Sequence, residues 1–147
     1  MGQTTHVVTA FLRREGRLLL LRRSDRVGSY RGCWAAVSGH LESADPLTQA
    51  LREVAEETGF DAHRLRLVAA GAEVAVAGTS PDRGWVVHPF LFDLEGTTEP
   101  RLDWEHVDYR WALPAELRGL DAVPRLGDAL RACWPDAPGL DGEVPAD

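Results

Sequence analysis

Residues 45–60 read DPLTQALREVAEETGF, and this stretch decides the fold. Asp45 is suited to cap the N-terminus of a helix, Pro46 suits the first helical position, and Gly59 suits the C-terminal end. The capping residues at both ends therefore predict a helix over residues 45–59. The remaining elements can be placed outward from this helix.

Apolar and acidic side chains lie on adjoining faces of this helix. On a helical wheel of about 100° per residue, the apolar side chains form a stripe that is expected to pack on a core. Carboxylates three or four positions apart repel one another by roughly 0.2–0.5 kcal/mol per pair. The group of carboxylates on this helix is therefore either a solvated acidic face or a site for a hard divalent cation such as Mg²⁺. The carboxylates of this face, which are expected to project away from the core, belong to Glu53, Glu56 and Glu57.

Strands dominate the rest of the chain, and helices are interspersed among them. This alternation predicts an α/β or α+β sandwich. Residues 1–134 are predicted to form a single domain, and the Pro-, Gly- and Asp-rich stretch 135–147 is predicted to be a flexible tail. The other predicted elements are strands at 4–12, 17–22, 33–38, 65–77, 85–94 and 107–112, a variable loop at 78–84, a helical turn at 114–117 and an amphipathic helix at 124–134.

Composition narrows the class of protein. The 147 residues are 44% hydrophobic and 27% charged, which indicates one folded, soluble domain. The net charge of -7 argues against a nucleic-acid binder, and the apolar runs are too short for a signal peptide or a membrane span. All 16 basic residues are Arg, which excludes a Schiff-base or Walker-type lysine. The cysteines, Cys33 and Cys133, are too few for a disulfide framework and predict a cytoplasmic setting.

The segment 39–60 resembles the Nudix box, whose pattern is G-x5-E-x7-R-E-U-x-E-E-x-G-U, with U an aliphatic residue. The second half of the pattern is specific, because five polar or glycine positions must coincide within a short stretch. The residues that match it at the expected spacing are Arg52, Glu53, Val54, Glu56, Glu57 and Gly59.

The first half of the box departs from the family pattern by one residue. Counted from Gly39, Asp45 stands where the family has Glu, but counted backwards from Arg52 that position falls on Ala44. Asp45 is therefore either the helix N-cap, which the N-cap preference favours, or a metal ligand. Glu42 is a second loop carboxylate that could approach the metals or pair with Arg52.

The resemblance covers residues 4–133. Residues 34–41 are similar to the strand and loop before the box, 85–92 to the following strand, and 105–111 to a recurrent E-x5-W segment. The resemblance implies the Nudix α/β/α sandwich, in which a mixed β-sheet lies between helices.

Nudix enzymes are pyrophosphohydrolases that hydrolyse a nucleoside diphosphate linked to another moiety X, using Mg²⁺ or Mn²⁺. The resemblance implies that Arg52 orients a carboxylate, and that either Glu105 or a box glutamate is the general base. Nucleoside triphosphates are the first-ranked substrates and ADP-sugars the second. The implied metal ligands are Glu53, Glu56 and Glu57.

The remaining candidates concern ligands and partners. His40 and Arg22 could contact substrate phosphates, and Trp34 could stack on a base, although a loop histidine, a surface arginine and a core tryptophan are the alternatives. The expected partner is a small nucleotide, with no nucleic acid or membrane. The assembly state is left open between a monomer and a homodimer, since Nudix proteins are often dimers. The alternative function is a non-catalytic, Nudix-like nucleotide-binding sensor or docking module.

Overall fold

The structure is a computed structural model that describes residues 3–42, 45–77 and 83–140. Within these residues the chain forms eight strands and two α-helices, together with two short 3₁₀ helices at Ala62–Arg64 and Pro114–Gly119. The helices are α1 (Pro46–Thr58) and α2 (Leu126–Cys133). The strands are β1 (Gln3–Arg14), β2 (Arg17–Arg23), β3 (Trp34–Ala35), β4 (Val37–His40), β5 (Leu65–Ala70), β6 (Val74–Ala77), β7 (Arg83–Leu94) and β8 (His106–Ala112).

The strands form one mixed sheet. Its main path runs in the order β3-β2-β1-β7-β5, while β4 pairs with β1, β6 with β7 and β8 with β2. The two longest strands, β1 and β7, lie parallel at its centre, from Gln3 opposite Arg83 to Arg13 opposite Asp93. The other strand pairs are antiparallel. The predicted α/β class and mixed sheet are thus confirmed.

The sheet has an apolar core on each face, and β2 shows how the sequence builds both. Leu18 and Leu20 belong to the core that includes α2, whereas Leu19 and Leu21 belong to the core that includes α1. Successive side chains of a strand point to opposite faces, so four consecutive leucines bury both sides at once. This run requires a helix layer on each face, which gives the α/β/α sandwich.

Helix α1 has the ends that the sequence predicts. The Asp45 side chain accepts a hydrogen bond from the Leu47 backbone N–H at 3.3 Å, so Asp45 is the N-cap. Gly59 ends the helix in the left-handed region, with φ of 81°, and its N–H donates to the Ala55 carbonyl. Ala50 and Val54 on the apolar stripe are buried against the sheet.

Two predicted strands are interrupted in the structure. The run 65–77 forms β5 and β6, which both pair with β7 as predicted but are separated by residues 71–73. Gly71 lies so close to α2 that a Cβ there would be 2.6 Å from the Ala132 carbonyl oxygen. The run 33–38 likewise forms the separate strands β3 and β4. Most of the predicted loop 78–84 lies outside the described residues.

The packed chain extends beyond Trp134, after which the sequence predicts a flexible tail. Ala137 and Leu140 are buried in the α2-side core, because the chain after α2 turns back onto the sheet layer. Residues 141–147 of the predicted tail lie outside the described residues. Among the residues that are described, no helix has the length and apolar character needed to cross a membrane.

Candidate active site

A cavity of about 560 Å³ opens between α1, the end of β4, and the α2 side of the sheet. Its carboxylates are those of Glu42, Glu53, Glu56 and Glu105, and its guanidinium groups are those of Arg23, Arg26 and Arg125. Apolar residues that line it include Val7, Val87, Val123, Leu126 and Ala129. The cavity therefore joins an acidic region to an apolar recess, with cationic side chains beside both.

The Glu53 carboxylate is half-buried and held from two directions. Gln49 Nε2 donates a hydrogen bond to Glu53 Oε2 at 2.8 Å. On β4, a Cβ added to Gly39 would lie 2.2 Å from Glu53 Cδ, so only glycine lets the carboxylate approach the strand this closely. Burial raises the pKa of Glu53. Hydrogen bonds with Gln49 and Glu57 oppose this rise, and the charges of Glu56 and Glu42 add to it.

Glu57 is buried, with only 2% of the residue exposed, whereas the helical wheel predicts that it projects away from the core. The wheel is wrong here because Glu105 and His106, from the segment at the start of β8, lie against Glu57. Among the described residues, Glu57 Oε1 has no hydrogen-bond partner, and His106 Nε2 lies 3.8 Å away. Burial raises the pKa of Glu57 well above its usual range, and the charges of Glu105 and Glu53 raise it further.

The Glu105 loop is fastened to the end of β2. Ser24 N–H donates to the Glu105 carbonyl at 2.8 Å, and Ser24 Oγ donates to the Trp104 carbonyl at 3.0 Å. These bonds hold the Glu105 side chain beside α1, where ligand atoms of Glu57, Glu105 and His106 lie within 4.8 Å of one another. Burial, followed by the charge of Asp103, raises the pKa of Glu105.

His106 is a buried member of this cluster that sequence reasoning did not select. Its Nδ1 lies 3.3 Å from Asp103 Oδ1, which orients the ring. Burial lowers the pKa of His106 although Asp103 opposes the shift. A polar residue at the buried first position of β8 was the available sequence signal, but such a histidine is equally typical of an ordinary core.

The structure places the other predicted residues at different distances from the cluster. Arg52 is exposed, and its Nη1 lies 3.9 Å from Glu42 Oε1, which is one of the two alternatives considered for Glu42. Glu56 and His40 are exposed and line the cavity. The structure leaves Arg22 and Trp34 outside that lining. Arg22 Nε donates to the Gly32 carbonyl, and Trp34 packs against the α2-side core.

The acidic cluster, which consists of Glu53, Glu56, Glu57, Glu105 and His106, offers ligand atoms that suit a hard divalent cation. Its side chains offer mainly carboxylate oxygens, which Mg²⁺ and Mn²⁺ prefer. A buried carboxylate oxygen without a partner is costly, and so are like charges crowded away from water. A cation held among Glu53, Glu56, Glu57 and Glu105 would offset both costs.

Comparison with known proteins identifies the family. A family model described as NUDIX domain matches residues 3–133, whereas none of the curated proteins matches the chain. A MutT protein from Methanosarcina mazei Go1 is 26% identical, with a TM-score of 0.68 over 85% of this chain and 88% of its own. For a MutT NUDIX hydrolase from Burkholderia pseudomallei the identity is 25% and the TM-score 0.69, over 88% of this chain and 98% of its own.

A third structure shares the fold at lower identity. The dihydroneopterin triphosphate pyrophosphohydrolase of E. coli is 21% identical, with a TM-score of 0.69 over 87% of this chain and 92% of its own. The match of the family model along nearly the whole described chain agrees with the sandwich and with the spacing of the glutamates on α1. The chain belongs to the Nudix family and is a hydrolase of phosphoric anhydride bonds.

Proposed function

We propose that this protein hydrolyses a nucleoside diphosphate linked to another moiety, by attack of water on phosphorus and with Mg²⁺ or Mn²⁺ as cofactor. The observation that carries the proposal is the buried Glu57 carboxylate, whose Oε1 has no hydrogen-bond partner among the described residues and which lies beside Glu105. Burying such a cluster in its charged form costs free energy, which a bound cation would offset.

Three glutamates of α1 would hold the metal in this proposal: Glu53, Glu56 and Glu57. When bound, the cation supplies charge neutralisation at the diphosphate and activation of water. Phosphoryl-type transfer depends mainly on positioning and charge stabilisation, so no covalent nucleophile is required. Arg52 keeps its proposed role of orienting a carboxylate, and the carboxylate beside it is that of Glu42, 3.9 Å away.

The general base is either Glu105 or a glutamate of the box. Glu105 is supported by its place in the cavity lining and by the two hydrogen bonds from Ser24 that fix its loop. Its raised pKa makes the carboxylate a better proton acceptor than an exposed glutamate. Glu57 is the box alternative, although its burial restricts its access to substrate.

Nucleoside triphosphates rank first as substrates, and ADP-sugars rank second. The apolar recess offers a surface for a nucleobase, while Arg26 and Arg125 at the same cavity offer cations for phosphate oxygens. The name of the E. coli relative states a triphosphate substrate, which agrees with the ranking. His40 keeps its proposed role as a phosphate contact because it lines the cavity.

A substrate screen tests the function directly. Phosphate and pyrophosphate release would be measured with Mg²⁺ over a panel of nucleoside triphosphates and ADP-sugars, with Glu57→Gln as the inactive control. We expect metal-dependent turnover of at least one nucleotide by the native chain. Nucleotide binding with no hydrolysis across the panel would instead support a non-catalytic sensor or docking module.

Divalent cations are expected to raise the melting temperature of the protein. A ligand that binds only the native state adds about 2.7 kcal/mol at a hundred times its dissociation constant. Differential scanning calorimetry with Mn²⁺ and with chelator measures the shift, and Glu53→Gln should reduce it. An unchanged melting curve at saturating Mn²⁺, with and without nucleotide, would count against the metal site.

Glu56→Gln is expected to stabilise the metal-free protein by roughly 0.2–0.5 kcal/mol while weakening Mg²⁺ binding. The exposed Glu56 adds repulsion to Glu53 and Glu57, and Arg52 is paired with Glu42 instead. Urea midpoints with chelator and with Mg²⁺ measure both effects. A variant that is less stable in chelator would show that an Arg52–Glu56 attraction dominates.

A cytoplasmic setting is part of the proposal, supported by Cys33 and Cys133, which are both free thiols. A homodimer stays a separate proposal, which rests on the resemblance to Nudix proteins. Light scattering at several protein concentrations distinguishes a monomer from a homodimer.

A further inference from the structure

We propose that Gln49 is a positioning residue that fixes the Glu53 carboxylate and couples it to the loop before α1, an inference that rests on the proposed function. Gln49 lies one helical turn before Glu53 and is fully buried, with 0% of the residue exposed. A buried glutamine on an otherwise acidic helix face is unusual, because glutamine is mostly exposed in proteins. Its amide therefore needs an explanation in terms of its partners.

The Gln49 amide uses both of its ends. Its Oε1 accepts a hydrogen bond from the Glu42 backbone N–H at 3.1 Å, and its Nε2 donates to Glu53 Oε2 at 2.8 Å. Glutamine carries an acceptor and a donor on one planar group, so it can bridge a backbone N–H and a carboxylate. A side chain with only one of these functions would leave the other partner unsatisfied.

The neutrality of the amide matters for a carboxylate that binds a cation. A Lys or Arg at this position would neutralise Glu53 and compete with a metal, and a Glu would place two carboxylates in contact. Gln49 holds one carboxylate oxygen while leaving the net charge of Glu53 unchanged. Gly39 limits the carboxylate from the strand side, so its movement is restricted from two directions.

The same amide holds the backbone of Glu42, which lies in the stretch where the Nudix box is one residue short. The Arg52–Glu42 contact also joins this loop to α1, but it is long, at 3.9 Å, and solvent-exposed, so it contributes little. The buried hydrogen bond from Glu42 N–H to Gln49 is the better-protected connection. Gln49 thus holds the Glu42 backbone and the Glu53 carboxylate in one fixed relationship.

The test compares Mn²⁺ affinity in four proteins: the native chain, Gln49→Met, Thr58→Val and Glu53→Gln. Methionine keeps the length and burial of Gln49 but removes both hydrogen bonds. Thr58→Val is the matched control, because Thr58 is also buried on α1 and its Oγ1 donates to the Val54 carbonyl at 2.6 Å. Electron paramagnetic resonance of free Mn²⁺ gives the dissociation constants, and urea midpoints in chelator compare stability.

We expect Gln49→Met to weaken Mn²⁺ binding about tenfold or more, as is typical when a partner of a metal ligand is removed. Thr58→Val should change the affinity less than twofold, even where it lowers the urea midpoint as much. Gln49→Asn, which is one methylene too short to bridge both partners, should behave like Gln49→Met and serves as the second variant if Gln49→Met does not fold.

The outcomes separate this inference from the proposed function. If Glu53→Gln weakens Mn²⁺ binding and Gln49→Met does not, Gln49 is only a packing residue and the inference is wrong. Equal weakening by Gln49→Met and Thr58→Val would also overturn it, because the effect would then follow general stability. An unchanged affinity in Glu53→Gln would instead overturn the assignment of Glu53 as a metal ligand.

Discussion

Replacing Glu57 with Gln is expected to lower turnover by at least about a hundredfold while making the metal-free protein more stable. The substitution removes a charged ligand from the proposed metal site but keeps the shape of the side chain. In chelator it also removes a buried carboxylate whose pKa is raised by burial and by the charges of Glu105 and Glu53. Stabilisation of roughly 0.5–2 kcal/mol is expected, in the pattern of active sites that sacrifice stability for function.

Steady-state turnover and urea midpoints in chelator measure the two effects of this change. Glu95→Gln is the matched control, because Glu95 is exposed and lies outside the cavity lining. It should alter neither quantity. Near-normal turnover of Glu57→Gln would contradict the metal role, and a loss of stability in chelator would contradict the electrostatic argument.

Gly39→Ala is expected to lower turnover by about 10–100-fold with little change in stability. The added Cβ would lie 2.2 Å from Glu53 Cδ, so the carboxylate must move away from β4. The displaced group is the end of a side chain, which can rotate without shifting the backbone, whereas its hydrogen bond from Gln49 and its position relative to the other carboxylates are lost.

Gly119→Ala is the control for Gly39→Ala, because a Cβ at Gly119 meets no atom within 4 Å. Turnover and melting temperature of both variants would be compared at saturating Mg²⁺. Full activity of Gly39→Ala would mean that Glu53 can serve from a shifted position. A large drop in its melting temperature would mean that the added methyl group disturbs the sheet as well.

Those parts of the fold that depend on local signals could be predicted from the sequence. Helix α1 begins and ends as expected, because Asp45 and Gly59 act within one helical turn. The break between β5 and β6 could not be predicted, since it accompanies the close approach of Gly71 to the backbone of α2, which is distant in sequence. The burial of Leu140 likewise depends on where the chain returns after α2.

Only part of the candidate site could likewise be predicted from local sequence signals. The spacing of Glu53, Glu56 and Glu57 places them on one helix face. The burial of Glu57 involves Glu105 and His106, which are distant in sequence and which the helical wheel does not contain. His106 enters the cluster through the same long-range contact. Gln49 did have a local signal, because it stands four residues before Glu53, a spacing at which side chains on a helix meet.

In the proposed mechanism, the hydrogen bonds from Ser24 to the Glu105 loop make turnover sensitive to the geometry of the sheet. Glu105 takes its position from the end of β2, whereas Glu53 and Glu57 take theirs from α1. A small shift of α1 relative to the end of β2 changes the distance between the carboxylates before it exposes any apolar surface. Under that mechanism, mutations far from the cavity that shift this alignment are expected to change turnover with little change in melting temperature.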